Sequence, residues 1–280
     1  MWWLYVILYI IFAISFNQCY KIVTKTTESD GTLTVLLQSM AGVFALLLSL
    51  CFDYKFTTDW KVYLFLVIAC IFYAISDRLN TVVRSGIEAS TYSVLKQLST
   101  VFMIVAGLLF FKEPFIWKKM IGAFLIVFSN ILIFYKRGRK KFNKYILLGI
   151  ISNIASSIAL FLDVNLSYQF NVAVYAASTV LLPAFFISIV EKITISDLRK
   201  KFQSGNKKAM VLTSLFWGIV PVVQLRAYQL GDVTLIAPLC ALTVIGNVIV
   251  GYLFLKEGDN LFKKMIAAIL IVISVILIKG

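Results

Sequence analysis

Long apolar runs follow one another along the chain and are separated by short polar turns. The runs fall at about residues 2–20, 32–52, 60–80, 88–111, 115–135, 145–163, 172–190, 209–229, 233–255 and 261–278. Each is close to the roughly 20 residues of helix that cross a bilayer core of about 30 Å. None alternates over about ten residues, as the strands of a membrane barrel do. The pattern therefore predicts an all-α integral membrane protein with ten transmembrane helices.

The two halves of the chain are related in sequence. An offset of 144 residues aligns the Lys-Glu pair at 112–113 with the pair at 256–257, and it also matches Leu98 with Leu242, Gly107 with Gly251, Leu109 with Leu253 and Phe110 with Phe254. One inserted residue then matches Lys119 with Lys264, Met120 with Met265 and Ser129 with Ser274. The predicted units are residues 1–135 and 145–280, joined by a basic loop at 136–144. Since each unit has an odd number of helices, five, the second must lie inverted relative to the first.

Composition agrees with a membrane protein and excludes several other classes. Apolar residues make up 61% of the 280 and charged residues 14%, against roughly half and a quarter in soluble domains. The net charge of +14 does not predict a nucleic-acid partner, because Lys and Arg lie mainly in the loops between apolar runs. The chain has no His, and its four Cys have no CxxC spacing, so no metal, disulfide framework or cofactor is expected. A Gly-rich ATP-binding loop is also missing from the sequence, which excludes ATP-driven pumping by this chain.

Charge predicts how the protein is oriented. Loops after the odd-numbered runs hold 19 Lys and Arg and the opposite side holds 7, while Lys96 belongs to neither set. The positive-inside rule places the basic loops in the cytoplasm and both termini outside, in a cell (inner) membrane. The first run has no basic segment before it, so it is expected to be a retained helix and not a cleaved signal.

Several motifs resemble the EamA-type unit of the drug/metabolite transporter superfamily. They are Ala89-Ser90, the segment from Gly107 to Pro114 that contains Lys112-Glu113, and Ile121-Gly122. Similar features return as the segment from Gly231 to Pro238 and at Lys256-Glu257. The resemblance implies a ten-helix transporter with a central substrate cavity and with helices five and ten at the periphery. It implies no particular substrate.

Lys96 is the leading candidate for substrate binding. It lies about midway along the fourth run, where a charge costs at least about 2.5–3.5 kcal/mol on insertion scales and is expected to face an interior cavity. Tyr92, Ser99, Met103 and Gly107 share its helix face. The repeat partners of this stripe, in the order Lys96, Ser99, Met103 and Gly107, are Cys240, Thr243, Asn247 and Gly251. Two alternatives stay open: a structural Lys bound to carbonyls or to an Asp, and small-residue packing of the two helices.

Other runs contribute scattered polar residues. The candidates for the cavity wall are Asn17, Gln38, Asn153, Tyr175, Trp217 and Gln224, in company with Gln18, Ser39, Asp77, Asn80 and Ser156. Each could equally make a hydrogen bond between helices. Asp163 and Arg226 lie near run ends, where a charged side chain can reach the membrane interface at a low cost in free energy. We therefore expect these two side chains to point towards the interface. Runs five and ten are almost wholly apolar and are predicted to face lipid or to form a homodimer.

These observations predict a secondary transporter that moves a small polar metabolite by alternating access. The cavity would be lined by runs one to four and six to nine. If Lys96 is the sole ionisable group near the midplane, it favours an anionic or zwitterionic substrate; an acid such as Asp77 or Asp163 reaching in would weaken that argument. The competing functions are a membrane enzyme that modifies lipids, with Asp77, Asp163 or Glu88 as its acid or base, and a non-transporting accessory subunit.

Overall fold

The regular structure of the described residues is helical. A computed structural model describes residues 2–99, 101–102, 117–134, 144–231, 236, 239–240, 242–256 and 261–279. Its α-helices are α1 (Trp2–Thr26), α2 (Gly31–Leu48), α3 (Trp60–Gly86), α4 (Ala89–Lys96), α5 (Trp117–Phe134), α6 (Lys144–Leu166), α7 (Val172–Val190), α8 (Ile195–Ser204), α9 (Lys207–Leu230), α10 (Thr243–Leu255) and α11 (Leu261–Lys279). The predicted all-α class is confirmed for these residues.

Polar residues in the turns begin several of the helices. The Asp30 carboxylate accepts the Leu33 backbone N–H at 2.8 Å at the start of α2. The Asn171 side chain does the same for two backbone N–H groups at the start of α7, and Asn206 for one at the start of α9. Such caps satisfy N–H groups that have no partner within the helix. The polar turns between the apolar runs therefore set where these helices start.

Six helical segments of the described residues are long and apolar enough to cross a membrane. They are Trp2–Thr26, Gly31–Cys51, Trp60–Gly86, Lys144–Gln169, Val172–Val190 and Lys207–Leu230. Large apolar side chains also cover outward positions, for example Leu64, Ile71 and Ile75 on α3. The chain is therefore an integral membrane protein. Two further apolar helices, Met120–Ser129 and Thr243–Leu255, are shorter, and residues 100 and 103–111 of the fourth predicted run lie outside the described residues.

Helices of the two halves pack against each other in pairs. The pairs are α1 with α9, α3 with α6, α2 with α7, α4 with α10 and α5 with α11. Small residues allow some of these contacts to be close. A Cβ atom on Gly218 of α9 would lie 2.4 Å from the Ala41 carbonyl oxygen of α2, so this helix crossing requires glycine. The interface between the halves thus runs through the middle of the molecule.

Two regions differ from the prediction. The second basic loop, 192–208, contains the short helix α8, because Thr194 and Asp197 form a reciprocal capping box at its start. These hydrogen bonds from Thr194 also lower the pKa of the Asp197 carboxyl. The fourth run is not one continuous helix: α4 ends at Lys96 and a turn follows at Gln97. Lys96 therefore lies at a helix C-terminus, where a cation interacts favourably with the helix dipole.

Candidate functional site: a polar cavity between the two halves

A cavity of about 240 Å³ lies between the two halves. Residues of α1, α3, α4, α6, α7 and α9 line it, together with Ser99, Cys240 and the first residue of α10. Helix α2, whose residues are all described, lines none of it. The prediction that the second run forms part of the wall is therefore wrong.

Helix α3 supplies a polar stripe along the cavity. Tyr73, Ser76, Asp77, Asn80 and Arg84 all line the wall. Positions 73, 76 or 77, 80 and 84 follow one another at three or four residues, which places them on one face of a helix. This spacing can be read from the sequence.

Asp77 and Lys96 both line the cavity. Gln38 of α2 donates to the Asp77 carboxylate at 2.7 Å, and the Lys96 ammonium interacts with the same carboxylate electrostatically. The Lys96 side chain is itself exposed. Lys96 is therefore not the sole charged residue of the cavity, because Asp77 and Asp163 also line it. As expected for an acid reaching in, this weakens the case that Lys96 made for an anionic substrate.

Asp163 of α6 is buried and lines the cavity. The Tyr73 hydroxyl donates to one carboxylate oxygen at 2.6 Å and the Tyr175 hydroxyl donates to the other at 2.7 Å. No cation of the described residues pairs with Asp163. The expectation that Asp163 reaches towards the membrane interface is therefore wrong: the side chain joins three helices inside the protein.

Arg84 is a buried cation in the wall, with 3% of its surface exposed. Its guanidinium carbon lies 3.9 Å from the centre of the Tyr92 ring, 4.7 Å from that of Tyr20 and 5.0 Å from that of Phe16. Its Nε and Nη1 are buried and have no hydrogen-bond partner among the described residues. Aromatic rings therefore surround the guanidinium, and two of its nitrogens have no acceptor among the described residues.

The end of α3 is anchored by a second buried cation, Lys21 of α1. The Lys21 ammonium donates to the Arg84 carbonyl at 2.6 Å and also to the Ile87 carbonyl. Lys21 and Arg84 belong to the 19 charges predicted to lie in loops, but that prediction is wrong for these two. Helices α1 and α3 continue to Thr26 and Gly86, beyond the ends of the predicted runs.

Asn80 ties the wall together at its centre. Its side-chain oxygen accepts the Tyr92 hydroxyl at 2.9 Å and the Ser152 hydroxyl at 2.8 Å. Helices α3, α4 and α6 are thus joined by one amide. Tyr92 therefore has two contacts that fix its position, the hydroxyl bond to Asn80 and the stacking of its ring on Arg84.

The structure brings most of the predicted site residues to this cavity. Those that line it are Lys96, Tyr92, Ser99, Cys240, Thr243, Asn17, Asn153, Trp217 and Gln224. Three others lie behind the wall: Gln38 donates to Asp77, Tyr175 donates to Asp163, and Asn247 donates to the Ser93 hydroxyl at 3.0 Å. Met103 lies outside the described residues. That these residues bind a substrate remains a prediction.

The matched stripes of the two halves make the same local contact. The Ser99 hydroxyl donates to the Lys96 carbonyl at 2.8 Å, and the Thr243 hydroxyl donates to the Cys240 carbonyl at 2.9 Å. These pairs are equivalent in the repeat alignment. Nearby, the Gln97 N–H donates to the Val94 carbonyl at 3.0 Å and the Leu242 N–H donates to the Leu239 carbonyl at 3.1 Å. These two turns lie one position apart in the repeat alignment.

Ionisable side chains around a cavity between membrane-spanning helices are typical of membrane transport proteins. Residues 1–135 match the model of the EamA-like transporter family. Over these residues the match confirms the resemblance to the EamA-type unit that the motifs indicated.

No curated protein matches the sequence. A crystal structure of another protein shares the fold with a TM-score of 0.61 and 13% sequence identity, over 97% of this chain and 98% of that one. At this identity the likeness concerns the fold alone.

Proposed function

We propose that this protein is a secondary transporter that moves a small polar metabolite through the central cavity. The observation that carries the proposal is the set of four ionisable side chains, Asp77, Arg84, Lys96 and Asp163, around one cavity between membrane-spanning helices. Charges inside a membrane are costly, and they mark substrate or ion pathways. The family match over residues 1–135 supports transport, and it favours a transporter over an enzyme.

The proposed architecture is ten membrane helices in two inverted units, residues 1–135 and 145–280. The helix pairs support it. In the two units α1 corresponds to α6 and α3 to α9, so the α1–α9 and α3–α6 contacts are equivalent. The α2–α7, α4–α10 and α5–α11 contacts each join a helix to its own counterpart. The matched helix interruptions near Lys96 and Cys240 are further support. Broken helices in related halves are a common way to build a midplane binding site. Rocking one unit against the other would expose the cavity to each side in turn.

The cavity volume sets the size of the substrate. About 240 Å³ lies below the roughly 300–1,000 Å³ of pockets for drug-sized ligands. We therefore propose a small metabolite. Amide and hydroxyl groups such as those of Asn17, Gln224 and Ser99 would orient it, and the Trp217 ring would cover its apolar part.

The test is flux into proteoliposomes that contain the full-length protein. The panel comprises radiolabelled amino acids, short carboxylates, amines, nucleosides and sugars, each with and without a pH or sodium gradient. We expect saturable uptake of at least one solute, reduced about tenfold or more in Lys96→Met, which keeps the approximate volume and removes the charge. Protein-free liposomes are the control for leakage.

Two outcomes would favour the alternatives. Chemical conversion of the liposome lipids without solute flux would identify a lipid-modifying enzyme. Folded protein with neither flux nor lipid conversion would favour an accessory subunit. A Lys96→Met variant that transports as fast as wild type would remove Lys96 from the binding site and leave its interaction with Asp77 as its role.

A further inference from the structure

Arg84 differs from the other charged residues of the cavity in having unpartnered donors. Asp77 accepts a hydrogen bond from Gln38, and Asp163 accepts two from tyrosines. The Lys96 side chain is exposed. In contrast, Nε and Nη1 of Arg84 are buried without an acceptor among the described residues. Buried N–H donors of a cation are normally satisfied, so Arg84 can still donate hydrogen bonds to an acceptor in the cavity.

The surroundings of Arg84 leave only certain directions for that acceptor. The rings of Phe16, Tyr20 and Tyr92 lie within 5.0 Å of the guanidinium carbon. Aromatic rings attract a guanidinium through their faces, but they accept none of its N–H groups in the way that an oxygen does. A planar acceptor approaching the edge of the guanidinium would complete the site.

The position of Arg84 is fixed independently of any ligand. Lys21 donates to its backbone carbonyl, and Thr24 donates to the same oxygen at 3.4 Å. The nearest ring, that of Tyr92, is held by the hydroxyl bond to Asn80. A cation held in place without a partner is the arrangement expected of a preformed anion-binding site.

We propose that Arg84 binds a carboxylate group of the transported molecule. A carboxylate is planar and matches the guanidinium fork. It also brings one negative charge, which matches the one unpartnered cation. A phosphate dianion would bring a second negative charge. Lys96 would not fully compensate that second charge, because it already interacts electrostatically with Asp77. That the bound molecule is transported rests on the proposed transport function, but binding of the carboxylate to Arg84 can be tested without transport.

The experiment measures thermal unfolding of the purified full-length protein in detergent at increasing probe concentrations. The probes are alanine with alaninamide, glutamate with glutamine, succinate with succinamide, and inorganic phosphate. We expect at least one carboxylate to raise the Tm more than its amide does. Arg84→Gln should then raise the concentration for half-maximal stabilisation about tenfold or more, and Arg84→Lys should raise it less.

Arg199→Gln is the matched control, because Arg199 is exposed on α8 and does not line the cavity. It should leave the response to carboxylates unchanged. If Arg84→Gln does not yield folded protein, the test is made with Arg84→Lys, which should bind the carboxylate more weakly than the wild type.

Several results would overturn the proposal. One is a panel in which no carboxylate stabilises the wild type more than its amide. Another is stabilisation by phosphate alone. A third is an Arg84→Gln variant with a lower Tm but an unchanged response to carboxylates, which would make Arg84 a structural cation.

Parallel flux measurements separate this proposal from the transport function. If the protein takes up an uncharged or cationic solute and Arg84→Gln leaves that uptake unchanged, the transport function stands and the proposal that Arg84 binds a carboxylate is rejected. Carboxylate binding that depends on Arg84, in a protein without flux, would keep the binding site and reject transport.

Discussion

At the scale of single residues, Asp163 joins three helices through one carboxylate. Tyr73 of α3 and Tyr175 of α7 each donate to one of its oxygens. A buried hydroxyl that loses its acceptor costs about 1–3 kcal/mol. The carboxylate is therefore expected to contribute to stability as well as to the chemistry of the cavity.

We predict that Asp163→Leu lowers stability by about 1–3 kcal/mol for each tyrosine hydroxyl left without an acceptor. Asp163→Asn should cost less, because the amide oxygen accepts one hydroxyl and the amide nitrogen can donate to the other. The measurement is thermal unfolding in detergent. Asp53→Leu in an exposed loop is the control and should unfold near the wild-type Tm. Equal losses for the Leu and Asn variants would contradict this role of the hydrogen bonds.

At the scale of elements, an ion pair fastens the start of α4 to α11. Glu88 lies directly before α4 and pairs with Lys264 near the start of α11. The pair is asymmetric: 2% of the Lys264 side chain is exposed, against 27% for Glu88. Removing the acid leaves a buried charge without its partner, whereas removing the lysine leaves an acid that water can still reach.

We therefore predict that Glu88→Gln destabilises more than Lys264→Met, by at least about 1 kcal/mol. The double variant should be close to Lys264→Met alone, because the buried charge is gone. A double-mutant cycle on thermal unfolding measures this coupling. Additive losses, or the opposite order of the two single variants, would show that the pair does not act as a buried ion pair.

At the scale of the whole molecule, ion pairs also join the two halves at one face. Lys201 of α8 pairs with Asp30 at 2.5 Å, and Arg78 of α3 pairs with Glu191 at 2.5 Å. These side chains are partly exposed, so each pair contributes little to stability, typically about 0–1 kcal/mol. Their common position marks the face of the basic segment 192–208. The charge count predicts that this face is cytoplasmic.

The orientation can be tested with cysteines at the two faces. We predict that Gln203→Cys on α8, in a Cys51→Ser background, resists a membrane-impermeant maleimide in intact cells and reacts after permeabilisation. The native Cys51 is exposed between α2 and α3 and should react in intact cells, which makes it the opposite-face control. Labelling of the cysteine at 203 in intact cells would reverse the proposed topology and place the termini in the cytoplasm.

The membrane class and the helical class follow from the amino-acid sequence alone, and its motifs indicated the EamA-type resemblance that the family model matches over residues 1–135. In a bilayer core every backbone polar group must be satisfied within the protein, so an apolar run of sufficient length has to be helical. Helical spacing also located Tyr92, Lys96 and Ser99 on one wall of the cavity. The periodicity of a helix face is a local property, and it can be counted along the chain.

The tertiary structure alone decided which polar residues near run ends turn inwards. Arg84 and Asp163 could each have reached the membrane interface. They face the cavity instead, because Phe16, Tyr20 and Tyr92 surround the first and Tyr73 and Tyr175 bind the second. These partners come from other helices, so their presence depends on helix packing and not on local spacing. The same is true of Lys96, because Asp77, which lines the same cavity, comes from α3.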